Sequence, residues 1–225
     1  MLERIDDGLW IATDPELRML GIRLGTRMTV LRLPDGKLWV HSPIRPSDAL
    51  RRELDALGEV AHIVAPNLYH HLHAGELLAA YPGAKLHAAH GLAKKRPDLR
   101  IDGELSTTPD AAWGGMLTPL AIEGSMLGET VFHVPSMRTV ISADLTENFV
   151  DGSTDFATNT YLKLNGIHGT PGLARILRPI FRDRKKTRAS IDRLLELDFD
   201  RALIAHGEIL RMGAKDVVRA TYTWL

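Results

Sequence analysis

Asn67-Leu68-Tyr69-His70-His71-Leu72-His73-Ala74-Gly75 follows the apolar run Val60-Ala61-His62-Ile63-Val64-Ala65, with one proline between them. Three of the ten histidines fall within four residues, where a strand pattern gives way to a helical one. Imidazoles at the end of a strand can converge on a metal without crossing the core, and neutral imidazole is the commonest protein metal ligand. Such a cluster also arises from ordinary structural or surface histidines. Its meaning depends on what the rest of the chain brings beside it.

Working outward, strand and helix patterns alternate. Residues 28–33 and 37–41 flank Pro34-Asp35-Gly36, an Asp-Gly turn that predicts a hairpin. Ser47 caps a helix over 48–57, whose Leu50, Leu54 and Leu57 form one stripe, and Gly58 stops it. After the histidines the pattern predicts a helix ending at Pro82-Gly83, a strand over 84–88 and a short helix at 91–95. Strands follow at 117–122, 130–134 and 139–143, the last two joined by a tight turn at Pro135-Ser136-Met137-Arg138. Residues 150–170 read as a long polar loop. Helices at 172–182, 187–197 and 213–223 close the chain, with a strand over 201–205 between the last two. The interleaving argues for an α/β fold with helices packed over sheets, in a single domain over 1–225.

Composition excludes several classes. Lys plus Arg equals Asp plus Glu at 28 each, so no overall field draws in nucleic acid or an anionic membrane. There is no cysteine, hence no disulfide, thiolate metal site or cysteine nucleophile. No signal-peptide stretch opens the chain and no run is long enough to span a bilayer, which predicts a cytoplasmic protein. The basic run Arg182–Arg188 lacks interleaved aromatics and reads as a solvated helix connection. No serine stands in a Gly-x-Ser-x-Gly context.

Several polar groups share one placement, the C-terminal end of a predicted strand. His70, His71 and His73 follow one strand, Asp144 another (Ser142-Ala143-Asp144), and His206 a third (Ile204-Ala205-His206-Gly207). Loops at strand ends are where α/β proteins assemble sites. Taken singly, Asp144 reads equally as a turn cap and His206 as a satisfied backbone partner.

The order of these motifs resembles the metallo-β-lactamase superfamily, an αββα sandwich with a two-metal site at the sheet edges. Its signature is His-x-His-x-Asp-His-x-Gly, then Gly-His, then an Asp ending a strand, then a final strand ending in His-Gly. His70 matches the middle histidine and His73-Ala74-Gly75 the end of the first motif, while Asp144 and His206-Gly207 match the last two. Leu68, Leu72 and Ser125 stand where a histidine, an aspartate and a histidine belong. The segments Ala65-Pro66-Asn67, His70-His71 and Asp144-Leu145 with Asn148-Phe149 are similar to an uncharacterised branch of that superfamily, defined as a domain of unknown function. That resemblance implies fold more firmly than activity.

With four of seven ligand positions kept and split between two metals, an unmodified dinuclear site is not expected. The resemblance implies a rebuilt mononuclear site on His70, His73, Asp144 and His206, with Glu129 or His71 completing the shell. Glu129 is a candidate from register: if 135–138 is the turn, Val134 pairs with Thr139 and Glu129 lies opposite Asp144. Facing carboxylates repel unless a cation, a proton or a basic side chain intervenes. Two functions stay open. One is a hydrolase using a divalent metal (zinc, iron or manganese) on a small ester, lactone, amide or phosphoester. The other is a non-catalytic descendant, with or without metal, kept for ligand binding or homo-oligomer contact.

Overall fold

The computed structural model describes residues 1–150 and 155–225. A seven-stranded sheet is built from β1 (Glu3–Asp6), β2 (Leu9–Asp14), β5 (Thr26–Arg32), β6 (Leu38–His41), β7 (Val60–Ala65), β8 (Lys85–Ala88) and β9 (Gly103–Glu104), in that order. Between β2 and β5 the chain makes a small ribbon, β3 (Arg18–Met19) and β4 (Ile22–Arg23). The second sheet has the order β10 (Thr118–Ala121), β11 (Thr130–Val134), β12 (Thr139–Ile141), β13 (Arg201–Leu203). In each sheet the pairing begins antiparallel and turns parallel, at β6–β7 in the first and at β12–β13 in the second.

The pleat sorts side chains into three layers, because successive residues of a strand point to opposite faces. On β5 and β6, Met28, Val30, Leu38 and Val40 pack outward beneath α1 (Asp48–Leu57), α2 (Ala74–Ala80) and α3 (Leu92–Lys95). Their neighbours Leu31 and Trp39 turn inward to meet Phe132, Ile141 and Leu203 of the other sheet. From the second sheet, Val131, Val140 and Ala202 face α5 (Arg184–Glu196) and α6 (Ala214–Thr221). The result is an αββα sandwich. Strands buried on both faces show little alternation, which is why 60–65 reads as one apolar run.

The helix over 48–57 forms as the sequence predicts. The Ser47 hydroxyl accepts from the Leu50 N–H, and Leu50 and Leu54 are buried. The predicted 134–139 pairing is also present, with Phe132 opposite Ile141 and Val134 opposite Thr139. Two expectations need correction. Within the predicted loop 150–170, residues 151–154 lie outside the described residues, but Phe156–Asn165 form a helix, α4, whose first turn is capped by the Asp155 carboxylate. Its buried positions are Thr158, Leu162 and Asn165, so the usual apolar stripe is missing. The predicted helix over 172–182 is a 3-10 turn over Arg175–Ile180, since Pro179 has no N–H to continue an α-helix. Among the described residues no helix is long and apolar enough to cross a membrane.

Three of the remaining histidines lie between the sheets. His62 Nδ1 and His87 Nε2 are 3.0 Å apart, both rings meet Trp113 edge-on, and His41 stacks on Trp39. Burial holds the His87 imidazole neutral down to about 4, aided by His62, and burial lowers His41 to about 3. The unfolded chain takes up these protons near 6.5, whereas the fold does not. Stability from these rings is therefore complete above about 6.5 and is lost as pH falls toward 4. Urea unfolding is expected to show a drop on the order of 3 kcal/mol from His87 across that window. His87→Gln should flatten the slope, and an unchanged slope would contradict this account.

Candidate metal centre

β7 ends at Ala65, and Pro66 commits the chain to a turn in which Asn67 becomes fully buried. The Asn67 side-chain oxygen accepts from the N–H groups of Tyr69 (2.8 Å) and His70 (2.7 Å), bending the loop back across the sheet edge. This bend aims the His70 ring at the ends of β12 and β13. There His70 Nε2 lies 3.2 Å from Asp144 Oδ1 and 3.3 Å from His206 Nε2, and His206 Nε2 lies 3.2 Å from the same Asp144 oxygen. Three donor atoms thus form a nearly equilateral triangle.

The outer nitrogens of both imidazoles are engaged. His70 Nδ1 meets the Ser42 hydroxyl at 2.7 Å, and His206 Nδ1 donates to the Gly25 carbonyl at 2.8 Å. Because Gly25 offers only an acceptor, its bond places a proton on His206 Nδ1 and leaves Nε2 for the centre. Ser42 reaches His70 from a left-handed backbone conformation (φ 52°), a strained arrangement for a residue with a side chain. Gly207 is required for a related reason. At φ 75° its backbone runs so close to β-bridge partner Asn148 that a Cβ would lie 2.1 Å from the Asn148 carbonyl oxygen. Arg27 locks the same corner by donating to the carbonyls of Ile204 and Gly207, each at 2.6 Å.

Asp144 is held from behind. Asn67 Nδ2 donates to Asp144 Oδ2 (2.8 Å), and the Glu129 carboxylate accepts from the backbone N–H groups of Ala143 (2.8 Å) and Asp144 (2.9 Å). The paired register ends at Phe132 and Ile141, but Glu129 does reach Asp144, with its carboxylate turned onto the backbone rather than into the triangle. Burial first, and the Asp144 charge second, push Glu129 up to about 8. Asp144 is held well below the usual carboxylate range: burial works against its charge, but the two imidazoles outweigh it. The reciprocal effect raises His206 to about 9 against the cost of its burial.

The structure also places His71 and His73 outside the triangle. His71 is buried against Arg96, with Nδ1 3.1 Å from the guanidinium. His73 precedes α2 and pairs with Glu76 at 3.2 Å, its ring at the wall of the cleft above the centre. At the three departures from the resembled motif, Leu68 packs against the core beneath α2, Leu72 lines the cleft, and the Ser125 hydroxyl accepts from the Leu127 N–H. Among the described residues no fourth His, Asp or Glu joins His70, Asp144 and His206 in one group.

Sequence reasoning passed over Ser42, Asn67 and Glu147. Asn67 stood inside the deciding stretch, and its signal was an Asn directly after Pro66 where a strand must turn. Glu147 follows Asp144 by three residues; it is buried, lines the cleft, and accepts from the Ala174 N–H at 3.0 Å. Burial raises its carboxyl to about 7, with His206 pulling the other way.

Comparison with solved structures identifies this architecture. A metallo-β-lactamase from Pontibacter korlensis superposes with a TM-score of 0.69 at 13% identity, covering 99% of this chain and 98% of that one. The fold is that of the metallo-β-lactamases. A metallo-β-lactamase from Erythrobacter litoralis gives a TM-score of 0.67 at 11% identity, over 100% and 96% of the two chains. FIM-1 from Pseudomonas aeruginosa, solved in a mono-zinc form, gives 0.65 at 10% identity, over 99% and 94%. A family described as "Domain of unknown function (DUF4336)" matches residues 7–92. No curated protein matches the chain in sequence. The chain thus has the metallo-β-lactamase fold, with a His-Asp-His cluster at the sheet edge.

Proposed function

We propose that this protein is a metal-dependent hydrolase with a mononuclear centre on His70, Asp144 and His206. The observation that carries the reading is the triangle of donor atoms, with edges of 3.2, 3.2 and 3.3 Å. Ligands about 2.0–2.1 Å from a tetrahedral zinc ion stand about 3.3–3.4 Å from one another, so three corners of such a shell are already in place. The side chains of the triad are 8%, 13% and 6% exposed, so the three donors are shielded from bulk water and open only on the cleft. All three residues line the cleft, so a substrate could reach an ion held there, as a catalytic rather than a structural site requires.

A divalent ion held there would supply an acidified water and a polarised carbonyl or phosphoryl oxygen. The protein's own groups do the rest. The Gly25 carbonyl keeps the His206 Nε2 lone pair on the centre, Ser42 holds the His70 ring in place, and Asn67 and Glu129 hold the Asp144 carboxylate and backbone. Glu147 sits in the same cleft, its carboxyl raised by burial to about 7, where it could take or give a proton. The overall reaction adds water across an ester, lactone, amide or phosphoester: the new bond forms from water oxygen to the acyl or phosphoryl centre. The bond to the leaving group breaks, and that group takes the proton.

Protein purified without a histidine tag and analysed for zinc, iron and manganese is expected to carry about one equivalent of metal. Substoichiometric metal that added zinc, iron or manganese does not raise would overturn the reading in favour of a non-catalytic, ligand-binding descendant.

A further inference from the structure

The cleft above the triad holds about 190 Å³. Its wall draws on four separate pieces of chain: Met19 and Leu24 beside the β3–β4 ribbon, Tyr69 and Leu72 from the histidine loop, Tyr161 of α4, and Leu177 of the 3-10 turn. Large apolar side chains brought from such distant positions and left open to solvent cost free energy unless something covers them. Met19, Tyr69 and Leu72 are 44%, 46% and 52% exposed at the rim, which is unusual for groups of this size.

Apart from its histidines, the cleft carries ionisable groups of one sign only. Its ionisable carboxyls are those of Asp144 and Glu147, and among the described residues no lysine or arginine lines it. Lys95, beside the rim, lies over the Tyr69 ring at 4.8 Å and donates to the Leu68 carbonyl. Leu72 sharpens the point, because it presents an isobutyl group to the cleft where the resembled motif has an aspartate. At the end of a bound molecule far from the triad, an anionic arm would lose its hydration among Leu24, Leu72 and Leu177 with no lysine or arginine in the lining to pair with it.

We infer that the cleft selects a compact, uncharged, apolar acyl group of about four to eight carbons, since its volume falls below the roughly 300–1,000 Å³ of pockets for drug-sized ligands. The inference rests on the hydrolase reading only for the identity of the reacting carbonyl. The acyl chain lies along Leu24, Leu72 and Leu177, and its carbonyl end points to the triad. A molecule whose far end bears a carboxylate or sulfonate is excluded.

The test separates binding from turnover. Calorimetric titration of the metal-loaded protein compares hexanamide, which is neutral, with its ω-sulfonate, whose added anion is a weak metal ligand. Hexanamide is expected to bind at least about tenfold more tightly, because the sulfonate loses hydration without gaining a partner. Leu72→Lys, a change at an exposed position, should narrow that ratio by about threefold to fivefold through one new rim cation. In turnover, kcat/KM for nitrophenyl hexanoate should exceed that for the acetate by about tenfold or more, from the four added methylenes. Should no ester be cleaved while hexanamide keeps its preference, the acyl cleft stands and the hydrolase reading falls. Equal or tighter binding of the sulfonate, or no binding of either amide, overturns the inference.

Discussion

Asp144→Asn protein is expected to retain its fold and to hold less than about a tenth of the metal of the parent chain. Asp144 Oδ1 is the vertex shared by both imidazole contacts, so no two-histidine remainder can replace it. The substitution keeps the shape of the side chain and removes its charge. From register alone, two facing carboxylates suggest that relieving Asp144 of its charge would raise Tm slightly. The observed surroundings reverse that sign. Asp144 is flanked by His70, His206 and the Asn67 amide, so the neutral variant leaves a buried His206 without its counter-ion. Metal-free Asp144→Asn should therefore unfold about 1–3 kcal/mol more easily than the metal-free parent. Unaltered metal content in the variant would remove Asp144 from the centre, and with it the proposed function.

The second large effect is expected at Asn67, which touches no metal in the proposed site. Its amide donates to Asp144 and, more distantly at 3.4 Å, to Glu129, while its oxygen accepts from the N–H groups of Tyr69 and His70. Truncation to Ala strips two backbone donors of their acceptor and removes the amide that donates to Asp144. A loss of about 3 kcal/mol in urea unfolding follows from those unpaired groups. Metal affinity should fall by about 10- to 100-fold, the usual effect of removing an orienting partner of a ligand. Asn67→Asp separates the two duties: it keeps the acceptor for Tyr69 and His70 but adds a third carboxylate. If Asn67→Ala binds metal and unfolds like the parent, the loop is held by other contacts and the positioning role is void.

Much of the architecture was legible because its signals are local. The Asp-Gly turn at 35–36, the Ser47 cap and the apolar run 60–65 each prescribe a conformation within a few residues, and those elements are present. The same holds for the β11–β12 register, which a single tight turn sets by counting outward. Where the local signal was weak or misleading, the expectation failed. Thr and Asn at buried positions hid α4, and the apolar spacing of 172–182 concealed that Pro179 cannot extend an α-helix. Strands β1, β2 and β9 left no clear period, because β2 is buried on both faces and the other two lie at sheet edges.

The candidate centre divides along the same line. By itself the sequence determined that His70, Asp144 and His206 each follow the C-terminal end of a strand, because strand ends follow from pattern, and the C-terminal ends of parallel strands share an edge. Only the tertiary structure decided which donors meet. His70, His71 and His73 are equivalent in a string, but the Asn67 turn sends one ring toward β12 and β13, the next toward Arg96, and the third toward Glu76. Glu129 lies opposite Asp144 in any correct register, yet whether it binds a cation or caps a backbone depends on unpaired N–H groups at 143 and 144, which only the folded chain creates. Side-chain direction, hydrogen-bond supply and the removal of water are properties of the packed molecule, and they turn three strand ends into one site.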